Sequence, residues 1–174
     1  MADIKGTTIL PDLPKSENDY SDWQGQLAAR NYDFETQIDN IVVKTEARLL
    51  AVIRGAIDDL VNEAQTPTVQ GGKMRVDTGF LRHSGISGLN APPVGETIGR
   101  DRTKGETGAF YTWNGEAIGV TLLKMKLGDT FYFGWTAHYA KYREAFDGFL
   151  ESAIQKWQGF VDKRVAYYRN KDGV

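Results

Sequence analysis

The sequence predicts an α+β fold with helices packed on a mostly antiparallel β-sheet, and three observations predict it. Apolar residues recur at helical spacing from about residue 16 to 65. Branched and aromatic residues cluster between residues 117 and 135, and a second helical stripe runs from about residue 147 to 169. Helices at both ends with strands between them fit a helix-on-sheet layering rather than alternating βαβ units. The 174 residues suffice for one domain, placed at residues 16–170, with a sizeable core.

Residues 1–15 hold Gly6, Pro11 and Pro14 among polar residues with no helical period, the pattern of an irregular N-terminal arm. Beyond it Trp23, Leu27, Phe34, Ile38, Ile41, Val42, Leu49, Val52, Ile53, Ile57, Leu60 and Val61 fall mostly three or four residues apart, the signature of an amphipathic helix. Ser16, with Asp19 three positions on, or Ser21 supplies its cap, and Thr66-Pro67 its stop. Unbroken from Ser21, this helix would run roughly 65 Å, against roughly 40 Å for a compact domain of this size. Either it breaks, near Gly55 or around Lys44-Thr45-Glu46, or it extends beyond its domain and buries its stripe on another subunit.

Residues 66–76 read as a glycine-containing loop, after which Asp77 stands where an N-cap belongs, its carboxylate ready to accept from the free amides of a short helix over 79–83. Frequent glycine from Gly85 to Gly115, the pair Pro92-Pro93 and the charged run Arg100-Asp101-Arg102-Thr103-Lys104-Gly105-Glu106 predict strands flanking a long loop or ribbon at about 90–115. The branched residues of Ala117–Lys126 predict a strand, Gly128-Asp129 a turn, and Thr130–Trp135 the returning strand of a hairpin. The last helix, about Asp147 to Arg169, places Leu150, Ile154, Trp157, Val161, Val165 and Tyr168 on one face. Asp147 and Glu151 lie near its positive end and Arg164, Arg169 and Lys171 near its negative end, before a short tail at 171–174.

Composition narrows the function classes. With 21 basic and 23 acidic residues the formal charge is −2, so no bulk attraction to nucleic acid or a membrane follows. The absence of cysteine removes disulfides, thiolate metal sites and thiol nucleophiles together. The first residues lack an apolar signal core, and no apolar run approaches the ~20 residues of a bilayer span. The expectation is a chain made in the cytoplasm, without a membrane partner.

Asp77-Thr78-Gly79 is also the catalytic triplet of aspartic proteases, but Arg75 and Phe80 stand at its flanks, where that family has apolar residues before and serine or alanine after. One copy per chain would act only in a homodimer whose two carboxylates share a proton. Asp77 as a helix cap is the preferred reading. His83 and His138 have neither the spacing of a helical metal pair nor a serine nucleophile signature nearby. His138, among Trp135, Tyr139 and Tyr142, suits core or interface packing, and Gly71-Gly72-Lys73 lacks the spacing of a phosphate loop. The residues themselves point to no catalytic group, cofactor or metal.

Two segments carry a resemblance. Val76-Asp77-Thr78-Gly79-Phe80-Leu81-Arg82-His83-Ser84 resembles the Asp-Thr-Gly-x-Leu-Arg-x-Ser signature of the tail-completion, or neck, family of long-tailed double-stranded DNA phages and gene-transfer agents. Tyr139-Ala140-Lys141-Tyr142-Arg143-Glu144, followed by Phe149-Leu150-Glu151-Ser152-Ala153, is similar to that family's Tyr-Ala-x-Tyr-x-Glu motif and the helix after it. The chain departs from the pattern in its insertion at about 90–115 and in Ala145-Phe146-Asp147-Gly148, where many relatives have glycine directly after the glutamate.

The resemblance implies a non-enzymatic virion protein, assembled in the host cytoplasm into a ring at the head-to-tail junction. It implies a hexamer or dodecamer, hexamer by preference, between connector or stopper proteins and the tail-tube protein, with the genome passing through without sequence-specific contact. A tail terminator or head-side stopper ring is the alternative, a homodimeric aspartic protease a more distant one. Within that picture Trp23 and Phe34 contribute to packing, Asp77 and Arg82 fix the local turn, and Tyr139, Tyr142 and Glu144 position the final helix. Arg100, Arg102 and Lys104 form the candidate lumen or partner loop.

Overall fold

The computed structural model describes residues 17–94, 108–113 and 115–172. Among them the protein is a mixed α+β molecule, mostly helical, with a small two-stranded antiparallel sheet. The elements run α1 (Glu17–Gln65), a 3₁₀ turn (Thr68–Gln70), α2 (Phe80–His83), β1 (Gly85–Leu89), α3 (Glu116–Lys124), β2 (Phe131–Trp135), α4 (Ala140–Asp147), α5 (Phe149–Gln155) and α6 (Trp157–Asp172). The chain divides into two compact units, residues 1–46 and 47–174, with the division inside α1. The expected N-terminal arm and the run Arg100–Glu106 lie outside the described residues.

In the first unit the described residues belong to α1, which is a single element with no break at Lys44-Thr45-Glu46 or at Gly55. Thr36 and Thr45 turn their hydroxyls onto the carbonyls of Tyr32 and Ile41 four residues back, at 2.9 and 2.8 Å. Both polar groups are thereby satisfied without help from outside the helix. Among the described side chains, Phe34, Ile38, Ile41, Val42 and Val43 are all exposed.

In the second unit the last part of α1 has a covered face. Val61 packs with Ile118, Leu122 and Met125 in one buried cluster, flanked by Leu50, Ile53, Ile57 and the sheet residues Leu89, Phe131 and Phe133. The expected strand over Ala117–Lys126 is therefore helical as far as Lys124. Its branched residues favour a strand, but Ile118, Leu122 and Met125 recur at steps of four and three, which puts them on one helical face. Glu116 and Lys124 suit the two ends of its dipole. Arg54 of α1 donates to the Leu123 carbonyl at 2.9 Å and also to that of Met125, closing the C-terminal end of α3.

The expected hairpin is likewise replaced. Strand β2 pairs with β1, Gly85 opposite Trp135 and Leu89 opposite Phe131. Asn90, in a left-handed conformation (φ 60°), closes the ladder: its amide donates to the Thr130 carbonyl and its side-chain oxygen accepts from the Thr130 amide. The predicted last helix is α5 and α6, separated at Lys156, and Asp147 ends α4 instead of starting the helix that follows.

Candidate functional site

The site is built by the two segments that the sequence singled out. Met74, fully buried, anchors the first: its amide donates to the Thr66 carbonyl and its carbonyl accepts from Thr68, so the chain leaves this bridge in a fixed direction. Gly79 then adopts φ 81°, and a side chain there would meet the Tyr111 carbonyl oxygen at 2.0 Å. Tyr111 returns a bond from its amide to the Thr78 carbonyl at 2.8 Å. Only glycine satisfies both the left-handed backbone and this approach. The N-cap position of α2 is Gly79, which has no side chain to cap with, and the amide of Phe80, the first residue of the helix, donates to the Thr78 hydroxyl at 3.4 Å.

Ser84 joins this segment to the second. Its buried hydroxyl donates to the Leu81 carbonyl at 2.8 Å and accepts from the Ala137 amide at 3.2 Å, while its carbonyl accepts from the Thr136 amide at 2.9 Å. Gln65, buried at the end of α1, donates to the Arg82 carbonyl. Beneath these bonds Met74, Phe80, Leu81, Ala137 and Phe149 form the other buried cluster. Phe80 meets Tyr111 edge-on at 5.2 Å and stacks with Tyr139 at 6.3 Å.

Between the two segments opens a cavity of about 730 Å³, lined by residues 75–82 and by His138, Tyr139, Tyr142 and Arg143. Phe80, Tyr139 and Tyr142 are part of its lining, and its charged residues are three arginines, Arg75, Arg82 and Arg143, and one acid, Asp77. Arg75 and Arg143 share one carboxylate, that of Asp147, which is only 4% exposed. Arg82 is different: its Nε is buried without a hydrogen-bond partner among the described residues, and burial pulls its guanidinium below the ordinary arginine value. Burial, and then the charge of Asp77, push the Tyr139 phenol above its ordinary value.

Four of the predicted site residues thus come together here: Asp77, Arg82, Tyr139 and Tyr142 all line the cavity. Glu144 stands apart, its two carboxylate oxygens accepting from the amides of Leu150 and Glu151, each at 2.9 Å, at the start of α5. Phe34, expected to pack, is 64% exposed in the first unit. Trp23 belongs to α1 with its side chain outside the described set, and Arg100, Arg102 and Lys104 are outside it too. Among the described residues no group of three or more His, Cys, Asp or Glu side chains is arranged to hold a metal ion. No described helix is long and apolar enough to cross a membrane.

No protein-family model matches the chain, and neither curated proteins nor solved structures give a significant match. Sequence reasoning missed Arg75, Arg143 and Asp147 as members of the site. The four-residue spacing of Arg143 and Asp147 carried a usable signal, since that spacing on a helix brings opposite charges together. Nothing local pointed to Arg75, which reaches the pair from a distant loop.

Proposed function

We propose that this chain is a structural ring subunit of the phage head-to-tail junction, a tail-completion or neck protein that links connector proteins to the tail tube and lets the genome pass. The observation that carries the reading is the uncovered apolar stripe of α1, Phe34, Ile38, Ile41 and Val42. A contiguous apolar face of this kind marks an interaction surface, because leaving it in water forgoes the transfer free energy of every side chain on it. The resemblance of the Asp77–Ser84 and Tyr139–Glu144 segments to the neck family supplies the kind of assembly. A ring needs heterologous contacts that close by rotation, so one surface of the subunit has to meet a different surface of its neighbour. A near-neutral chain suits a conduit that DNA crosses without being held. The reading gives Asp77 no catalytic task.

Light scattering and negative-stain microscopy of the purified chain, alone and with connector or tail-tube proteins, test the proposal. Closed rings in either setting are expected. A chain that forms no ring and joins neither protein overturns it, and a stable two-fold dimer returns Asp77 to consideration as a shared-proton carboxylate.

A further inference from the structure

The exposed stripe and the cavity are opposite in charge: acidic residues flank the stripe, and the cavity lining holds more cations than anions. On α1, Phe34, Ile38, Ile41 and Val42 fall at spacings of four, three and one, so they share one face. Glu35, Asp39 and Glu46, spaced four and seven apart, run along one flank of that face. From Tyr32 to Val42 there are three acidic residues and no lysine or arginine. The cavity is lined by Phe80, Tyr139 and Tyr142 and by three arginines, Arg75, Arg82 and Arg143, against one acidic residue, Asp77. Arg75 and Arg143 have one carboxylate between them, and the buried Nε of Arg82 has no partner among the described residues.

We propose that the cavity between the Asp77–Arg82 and Tyr139–Arg143 segments receives the Phe34–Val42 face of α1 from a second copy of this chain. Phe34 or Ile38 fills the aromatic part, and Glu35 and Asp39 engage Arg82 and Arg143. The inference rests on the assembly reading and gives it a contact. The stripe and the cavity are different surfaces, so the contact is heterologous, and repeated copy to copy it generates a ring or an open filament. A cavity of this volume lies within the range that encloses a compact ligand or one or two large side chains. A carboxylate docked beside Arg82 adds a charge-assisted hydrogen bond to a guanidinium whose Nε has no partner among the described residues.

Because the chain has no cysteine, cross-linking reports the contact directly in the full-length protein. Glu35→Cys in one copy and Tyr142→Cys in another, treated with a short bismaleimide, should join at least about tenfold faster than Glu35→Cys with Val69→Cys, since docking raises the local concentration of the two thiols. Val69 is 90% exposed and lies outside the cavity. In parallel, the double variant Glu35→Lys with Asp39→Lys, both on the exposed helix surface, should weaken self-association by about tenfold or more. Mixing it with Arg82→Glu should restore association that neither shows alone. Equal cross-linking to Val69→Cys, undiminished association of the lysine variant, or a parent chain monomeric at every concentration overturns the inference. Rings that persist in the lysine variant overturn this contact alone and leave the assembly reading standing, whereas failure to join any ring with tail proteins counts against that reading itself.

Discussion

Arg164 of α6 grips Asp59 of α1 with two parallel hydrogen bonds, Nε to Oδ2 at 2.7 Å and Nη2 to Oδ1 at 2.8 Å, and its side chain lies directly over Gly55. One turn further along α1, Glu63 pairs with Lys156, near the start of α6. The pairs run in opposite order along the two helices, so α6 lies antiparallel to this part of α1. Long polar side chains span the distance between them. This fork-to-fork geometry is the stronger kind of ion pair, because both carboxylate oxygens are used and the guanidinium is held in one orientation.

The pair makes stability depend on pH. Burial works to raise the Asp59 carboxyl, but Arg164 and Lys163 outweigh it and hold its pKa below the ordinary value, which is about 3.9. Asp59 in the folded protein therefore binds its proton less readily than in the unfolded chain. Its contribution is present above the ordinary value and is lost as pH falls through the lowered one. Urea denaturation of the parent and Asp59→Asn should differ by about 1 kcal/mol at neutral pH, a modest figure because the site is partly solvated. The gap should close in strong acid. A gap that is constant from pH 7 to pH 2 would refute the electrostatic account.

Gly55 permits that grip. A methyl group at this position would meet Arg164 Cδ at 2.9 Å and Nε at 3.0 Å, so the arginine would have to shift, which weakens the fork. Yet alanine is the better helix former by roughly 1 kcal/mol in a helix interior. Gly55→Ala should thus be close to neutral in the parent and stabilising by about 1 kcal/mol when Arg164 is already alanine. A four-member thermal denaturation cycle measures this coupling, and additivity of the two changes would show that the close approach has no energetic weight.

The helices at both ends of the chain were legible in the sequence because each shows apolar residues at spacings of three and four over several turns. Segment 117–126 was not, because its branched residues and its helical spacing pull in opposite directions. Packing of Ile118, Leu122 and Met125 against Val61 decides the matter through residues far away in sequence. The pairing of β1 with β2 was hidden for the same reason: its partners are separated by the insertion and by α3, and local turn chemistry at Gly128 suggested a nearer partner. At the site, Asp77, Arg82, Tyr139 and Tyr142 were found through motif resemblance. Arg75 and Asp147 became visible only when the fold brought the loop and α4 together. The role of Ser84 as the joint between the segments was equally invisible, since a serine after a short helix reads as an ordinary polar terminus.

Glu144 joins α4 to α5. Its carbonyl accepts from the Gly148 amide at 2.8 Å as α4 ends, and its carboxylate accepts from the first amides of α5. Glu144→Ala removes the second set of bonds and should cost about 1 to 2 kcal/mol, the range for losing a side-chain cap. Glu144→Gln keeps one acceptor oxygen and should lose less. Chemical denaturation of the two variants orders them. A glutamine variant as unstable as the alanine one would mean that the negative charge, rather than the hydrogen bonds, holds the junction.

Gly79 gives the sharpest contrast among the glycines. Its φ of 81° disfavours any L side chain, and the Tyr111 carbonyl oxygen, 2.0 Å from where a methyl group would sit, is backbone, which cannot rotate away. Gly79→Ala would have to break the Tyr111–Thr78 bond, move Phe80 out of its aromatic contacts and open the cavity. The expected loss is about 3 kcal/mol or more, in the range reserved for strained backbone combined with disrupted packing. Gly119, inside α3 with open space where its side chain would be, should respond with the opposite sign, Gly119→Ala gaining about 0.5 to 1 kcal/mol. Paired denaturation curves separate the two. If Gly79→Ala folds with parental stability, the first segment does not depend on its left-handed turn, and the position of Arg82 in the cavity wall has to be set by Ser84 and Gln65 instead.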